Sequence, residues 1–508
     1  MNANDQIALQ AQEITSLKNE LSCLKEKLAW FQKHMFGQRS EKMIRDLNDE
    51  QPLLPGFQEF YDPKDEDAKE PPPKPEGKKR EKTKNKDAIK HPDNLPVEKI
   101  LLDLLPEEKI CPESGEPLVK IGEEISRKLV YKPGVFSIKE YIRPKYASKK
   151  CSENGIRTAP MPNSLFSRSP IDESILADVL TKRFSDHLPY YRIHEIYKRD
   201  NVFISRQLFS SWTVRTGKLL SPLVQEMMKQ VLASQNLFVD ETPVKLLVPG
   251  KGKAQQAYMW VYVGGSGQSP PYRIYDFCLN RQHDNVISVL KDYEGHLHSD
   301  KYGAYETLAK LEAIWWCPCW AHIRRKFIES LSGDTVFRDW VLLKIKHLYM
   351  YEKIAWKLSP EKRTEIREKH EAPIIDKLVH AIKKKLLNDP PLPKSKLHQA
   401  LYYFSGLIPY LKNYHRNSYA RLDNNHGERA IRSLTIGRKN WLFLGSEDGG
   451  EAAATILSLV QTCRGLSINV FEYFNDILRR LLDHPYKDIA ELLPDQWIIK
   501  HPQFRMME

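Results

Sequence analysis

The chain has 508 residues and a formal net charge of +12, long enough for several domains and basic enough to favour a polyanionic partner. No run of roughly 18 apolar residues occurs, which excludes a membrane-spanning helix, and Met1-Asn2-Ala3-Asn4-Asp5-Gln6 leads into no apolar core, so no secretory leader is expected. Seven cysteines scattered along the whole length form no disulfide framework and suit a reducing cytoplasm.

The first segment reads as a coiled coil. Ile7, Ile14, Leu21, Leu28 and Met35 recur every seven residues, and Leu17, Leu24 and Phe31 fill the second apolar position. Residues 7–35 are therefore expected to hold protomers together as a homo-oligomer. From 62 to 90 the chain is acidic, then proline-rich, then lysine-rich, with almost nothing to bury, so a tether is expected. From 95 to 162 short strands and turns follow, with strands expected at 129–131 and 135–138 around Pro133-Gly134. Cys111 and Cys151 flank this small sheet like halves of a zinc ribbon. Ser114 and Ser148 stand where the second thiolate of each pair would be. Two thiolates do not fill a tetrahedral site, so the ribbon is expected to fold with little or no zinc.

Residues 171–217 read as three helices. Ile175, Leu176, Val179 and Leu180 mark the first, and Tyr191, Ile193, Ile196 and Tyr197 the second. Ser205 caps a third helix expected to run to about Gly217. That outline is a helix-turn-helix, in which Arg206 and Gln207 would face base edges or phosphates. From 236 the pattern turns to strands at 237–239, 258–263 and 272–277, spaced as an antiparallel meander. A helix at 283–293 and a strand ending near Asp300 follow. Long helices then occupy 320–420, and the last hundred residues are again helical.

Three carboxylates stand out. Asp240 in Leu237-Phe238-Val239-Asp240-Glu241-Thr242-Pro243 and Asp300 in Leu297-His298-Ser299-Asp300 read as strand-end acids. Glu428 heads an amphipathic helix in Asn424-Asn425-His426-Gly427-Glu428-Arg429. Glu241 is a rival that points to the opposite face of its strand, and Asp292 a rival that precedes its strand. Two aspartates on a sheet and a later glutamate are the parts of a two-metal phosphoryl-transfer site, which needs hard oxygen ligands on both sides of a phosphate. Beside them, His322, Arg324, Arg325 and Lys326 read as phosphate contacts, as do Arg429, Arg432, Arg438 and Lys439 with Trp441 among them. Cys317 and Cys319 read as buried thiols. A basic chain with this acid set is expected to cut and rejoin DNA.

Several long strings resemble a known family. They are Met35-Phe36-Gly37-Gln38-Arg39-Ser40-Glu41-Lys42, Arg143-Pro144-Lys145-Tyr146-Ala147, Asp186-His187-Leu188-Pro189-Tyr190-Tyr191-Arg192 and Asp240-Glu241-Thr242-Pro243. Further on come Cys319-Trp320-Ala321-His322-Ile323-Arg324-Arg325-Lys326-Phe327, Asn424-Asn425-His426-Gly427-Glu428-Arg429-Ala430-Ile431-Arg432 and Gly437-Arg438-Lys439-Asn440-Trp441-Leu442-Phe443-Leu444-Gly445-Ser446. Together they resemble transposases of the insertion-sequence-66 family over nearly the whole chain.

The resemblance implies a multidomain α+β protein. Its parts would be a coiled coil (1–45), a linker (46–94), a zinc-ribbon-like β domain (95–162) and a helix-turn-helix (163–230). A ribonuclease-H-like α/β catalytic domain (231–465) with a helical insertion at about 320–420 and a helical C-terminus (466–508) would follow. It implies an Asp-Asp-Glu triad of Asp240, Asp300 and Glu428 holding two Mg2+, with Mn2+ able to substitute. The expected partners are double-stranded DNA, as terminal inverted repeats and target, and small accessory proteins of the same element. The expected place of work is the cytoplasm, on the nucleoid. The other reading is an inactive relative that only occupies repeat ends. Ser114 and Ser148 depart from the family pattern, and so does Gly427, where alanine is usual and little effect is expected.

Overall fold

The computed structural model describes residues 171–506 except 249, 251, 265–271 and 332, together with residues 134, 136–138, 145–147, 156–158 and 163–166. The chain divides into two units, 1–38 with 144–508 and 39–143, and every described helix and strand belongs to the first. The coiled coil at 7–35, the linker at 62–90, and Cys111 and Cys151 lie outside the described residues. The strand expected at 135–138 is not formed at residues 136–138; Ile138 is 96% exposed, so no apolar burial holds it in a sheet. The short pairing nearby in sequence is instead β1 (Lys145–Ala147) with β2 (Ile156–Thr158), antiparallel.

Three helices follow. In α1 (Glu173–Leu180), Leu176, Val179 and Leu180 are buried, as their spacing requires. In α2 (Tyr190–Arg199), Ile193 and Tyr197 are buried, but Tyr191 is exposed and lies beneath the Arg206 guanidinium. Ser205 caps α3 (Arg206–Leu232), its hydroxyl accepting from the Leu208 N–H at 3.3 Å. This helix does not stop at Gly217. It continues through Pro222, where Ser221 Oγ donates to the Lys218 carbonyl that the proline leaves without its N–H. Gly217 is needed for packing: a Cβ there would lie 2.5 Å from that of Ala452.

The sheet is built from β3 (Asn236–Leu246), β4 (Gln255–Val263) and β5 (Arg273–Cys278), then α4 (His283–Leu290), β6 (Gly295–Ser299), α5 (Gly303–Leu308) and β7 (Ile314–Pro318). The strand order is β5-β4-β3-β6-β7. The first three pair antiparallel, and β6 and β7 join parallel. Asn236 to Val239 are buried without alternation, as in a strand with neither face open to solvent. The reading of 237–239 as a short strand ending at Asp240 is corrected: β3 runs eleven residues and Asp240 sits mid-strand. Pro243 is tolerated there because β3 pairs with β6 only from Asn236 to Phe238 and meets Leu444 only at Leu246, leaving Pro243 without a strand partner on that side.

The insertion comprises α6 (Trp320–Ile328), α7 (Thr335–Ala355), α8 (Pro360–Ile366), α9 (Ala372–Asn388) and α10 (Lys396–Ser405). Arg367 lies at its centre with no exposed side-chain surface. It donates to both Glu352 oxygens, at 2.6 and 3.1 Å, and to the carbonyls of Tyr414, Asn417 and Ala420. One guanidinium thereby fixes the chain that returns to the sheet. That chain enters α11 (Asn425–Trp441), followed by α12 (Glu447–Gly465), α13 (Val470–Arg480) and α14 (Pro494–Lys500). α12 closes the outer edge of β5: Ser458 and Thr462 accept its Tyr275 and Arg273 N–H groups at 2.8 and 3.1 Å. The domain is mixed α+β and mostly helical around one five-stranded sheet. No described helix is long and apolar enough to cross a membrane.

Candidate active site

The parallel pairing of β3 with β6 ends at Phe238 and His298. Asp240 and Asp300 each follow two residues later, in matching register, where the strands part. Side chains two residues apart share a face, so the register brings the two acids toward one place. Asp240 Oδ1 accepts the Glu241 N–H at 2.9 Å. Burial, then the charges of Glu241, Asp300 and Glu428, push the Asp240 carboxyl up to about 8. Burial also raises Asp300, while Arg281 pulls it back.

Glu428 arrives from the first turn of α11. The residue before that helix, Asn424, is fully buried and anchors it. Its Nδ2 donates to the Val239 carbonyl at 2.9 Å, and its backbone N–H to Cys319 Sγ at 3.2 Å. The head of α11 is thus tied both to β3 beside Asp240 and to the start of α6. Gly427 has a role the sequence did not suggest: a Cβ there would press on Asn424 Oδ1 at 3.0 Å. Glu428 itself lies 3.5 Å from His322 Nδ1, 3.9 Å from Cys319 Sγ and 3.9 Å from the Arg325 guanidinium.

The basic residues separate into three groups. Arg325 and Lys326 are half-buried on α6, with Arg325 at Glu428 and the Lys326 ammonium over the Tyr403 ring. Arg324, Arg429, Arg432 and Lys439 are exposed to varying degrees, as are Arg206 and Gln207 at the head of α3. Arg438 is committed inward, donating to Thr242 Oγ1 at 2.9 Å and to the Pro243 carbonyl along the free edge of β3. His322 turns toward Glu428, and burial with Arg325 and Lys326 holds it down at about 4, so it is neutral near pH 7. Trp441 is buried against Arg183 and offers no stacking surface. Asp292 stays outside, 88% exposed.

Two residues that the sequence reading set aside, Glu241 as a rival acid on the opposite face and Cys319 as a plain buried thiol, stand at the site. Glu241 is drawn into the acid cluster: its side chain is 5% exposed and its carboxylate pairs with Arg281, whose Nε donates at 2.8 Å. Burial and Asp300 still raise it to about 7. Its adjacency to Asp240 was a usable signal, but nothing local marks Arg281. The other is Cys319, whose spacing to His322 was visible and whose approach to Glu428 was not.

Asp240 and Glu241 are thus raised by burial and by neighbouring carboxylate charge, with Arg281 bonded to Glu241 and acting on Asp300, and a hard divalent cation would relieve that repulsion. The linkage has a definite sign. A raised Asp240 contributes stability fully below the ordinary value of 3.8, and that contribution is lost as pH rises through about 8. Metal-free protein should therefore melt at lower temperature at about pH 8 than at about pH 5, and Mg2+ should raise the melting temperature more at the higher pH. Equal Mg2+ shifts at both pH values would show that the cluster does not take the cation.

The chain belongs to the Transposase IS66 family, whose model matches residues 168–452. Further models match at 458–494 (IS66 C-terminal element), 108–152 (zinc-finger binding domain of transposase IS66) and 23–100 (Transposase C of IS166 homeodomain). Two relatives come from Sinorhizobium fredii (strain NBRC 101917 / NGR234). Uncharacterized protein y4qI is 33% identical over 406 residues, covering 76% of this chain and 75% of the relative. Uncharacterized protein y4jD is 27% identical over 423 residues, covering 80% and 81%. The family assignment implies DNA binding and use of a divalent metal.

Proposed function

We propose that the chain is a DNA transposase that binds the terminal inverted repeats of its own element and catalyses strand cleavage and strand transfer. Asp240, Asp300 and Glu428 hold Mg2+ in this reading, and the catalytic domain is ribonuclease-H-like. The observation that supports it is that Asp240 and Asp300 follow the β3–β6 pairing in matching register, while Asn424 ties the helix start that carries Glu428 to Val239, the residue before Asp240. The antiparallel meander followed by two parallel strands supports the fold reading.

Bound divalent cations would supply the nucleophile at neutral pH and charge stabilisation at the leaving oxygen. The chain's own residues do the rest. The three carboxylates supply anionic oxygen ligands on supports fixed by β3, β6 and α11. Asn424 sets the position of Glu428 by its bond to Val239. Arg281 neutralises Glu241 and leaves Asp240 and Asp300 for the metals. Arg324, Arg325, Lys326, Arg429, Arg432 and Lys439 hold the phosphate backbone across the site, and Arg206 and Gln207 contact the repeat. Two ends must meet in one complex, so the protein works as a homo-oligomer.

Full-length protein incubated with labelled element ends tests this. Mg2+-dependent release of 3′-hydroxyl ends is the expected result. Binding of the ends with no cleavage in Mg2+ or Mn2+ would leave a protein that only occupies repeats.

A further inference from the structure

Beside the acid cluster lies a second, chemically different donor set. Cys319 and His322 sit three residues apart at the start of α6, so they share one helix face. Glu428 meets them from α11, and one ligand atom from each of the three lies within 4.8 Å of the others. His322 Nδ1 is buried and makes no hydrogen bond. The Cys319 sulfur accepts the backbone N–H of Asn424 at 3.2 Å and that of His322. Backbone donors to sulfur are the outer interactions that orient a metal-bound thiolate.

We propose that Cys319 Sγ, His322 Nδ1 and Glu428 form a site for a soft divalent transition metal, Zn2+ in its ligand chemistry. Sulfur and imidazole ligands select against Mg2+, whereas one thiolate, one imidazole and one carboxylate match a three-ligand zinc site with an open fourth position. The side chains of His322 and Glu428 are 22% and 17% exposed, which leaves that position reachable from solvent. As the sulfur–metal bond forms, the thiol proton leaves to solvent. Glu428 then belongs to two donor sets, and the identity of the cation decides which one it serves. Zn2+ on Cys319 and His322 draws Glu428 away from Asp240 and Asp300. This last consequence, inhibition of Mg2+-supported cleavage by Zn2+, rests on the function proposed above; the site itself does not.

The test uses Co2+ on the full-length chain, read by thiolate-to-cobalt absorption. The wild type should show the band. A Cys111→Ser/Cys151→Ser double variant should keep it, which separates this site from the ribbon. Cys319→Ser should lose it, and His322→Gln and Glu428→Gln should each weaken Co2+ binding by about tenfold or more. Circular dichroism checks that the variants fold. If Cys319→Ser does not fold, His322→Gln, a half-buried position, carries the same test. Absence of the band in the double variant, or its persistence in Cys319→Ser, overturns the proposal. In the cleavage assay, Zn2+ should suppress Mg2+-supported product in proportion to occupancy of the Co2+-competable site. Co2+ binding through Cys319 in a protein that never cleaves DNA would uphold this site and remove the transposase reading instead.

Discussion

Asp240→Asn, Asp300→Asn and Glu428→Gln are each expected to abolish Mg2+-dependent strand cleavage while leaving binding to a labelled repeat end nearly unchanged. Each swap keeps shape and removes one anionic oxygen ligand. Changes that act only on the surroundings of a metal site typically cost about 10–100-fold, so loss of a direct ligand should exceed that range. Asp292→Asn should have no effect, because that carboxylate is 88% exposed and away from the cluster. Glu241→Gln is the informative intermediate. Its carboxylate faces Arg281 and also raises Asp240. Removing it frees Arg281 to pair with Asp300, so a partial loss of cleavage is expected. Cleavage by Asp240→Asn at the wild-type rate, or total loss in Glu241→Gln alone, would mean that the acids have been assigned wrongly.

Arg367→Ala should produce the largest loss of stability of any single substitution in the insertion. It leaves the buried Glu352 carboxylate without its ion-pair partner, held only by the Trp356 Nε1 bond, and breaking such a pair costs about 3–5 kcal/mol. It also removes the donors to Tyr414, Asn417 and Ala420, the stretch that leads the chain to Asn424 and Glu428. Cleavage should therefore fall with stability. Glu352→Leu combined with Arg367→Met should recover part of the loss, because neither charge is then left unpaired, but not the three carbonyl bonds. Thermal and denaturant melts of single and double variants decide this. An unchanged melting temperature in Arg367→Ala would show that the insertion is held by its apolar packing alone.

These expectations depend unequally on sequence and structure. The meander β3-β4-β5, the cap at Ser205 and the helices of the insertion were readable because period and capping act over a few residues. The three acids were readable because each stands at a break in an apolar pattern. The limits of elements were read less well. β3 runs on past Asp240 because β4 goes on pairing with it, and α3 runs past Gly217 because Ala452 packs there.

Composition, periodicity and the long family strings thus determined by themselves the basic character, the mixed α+β order of elements and the acids proposed for catalysis. Only the tertiary structure decided what surrounds those acids. Asn424 reaches Val239 across 185 positions and Cys319 across 105. Arg281 meets Glu241 across 40, and Arg438 turns inward to Thr242 across 196. No local pattern encodes such pairs. Those made by Asn424 and Arg438 follow from the chain that Arg367 helps return to the sheet, which sets α11 beside β3, while Arg281 reaches Glu241 from the turn after β5.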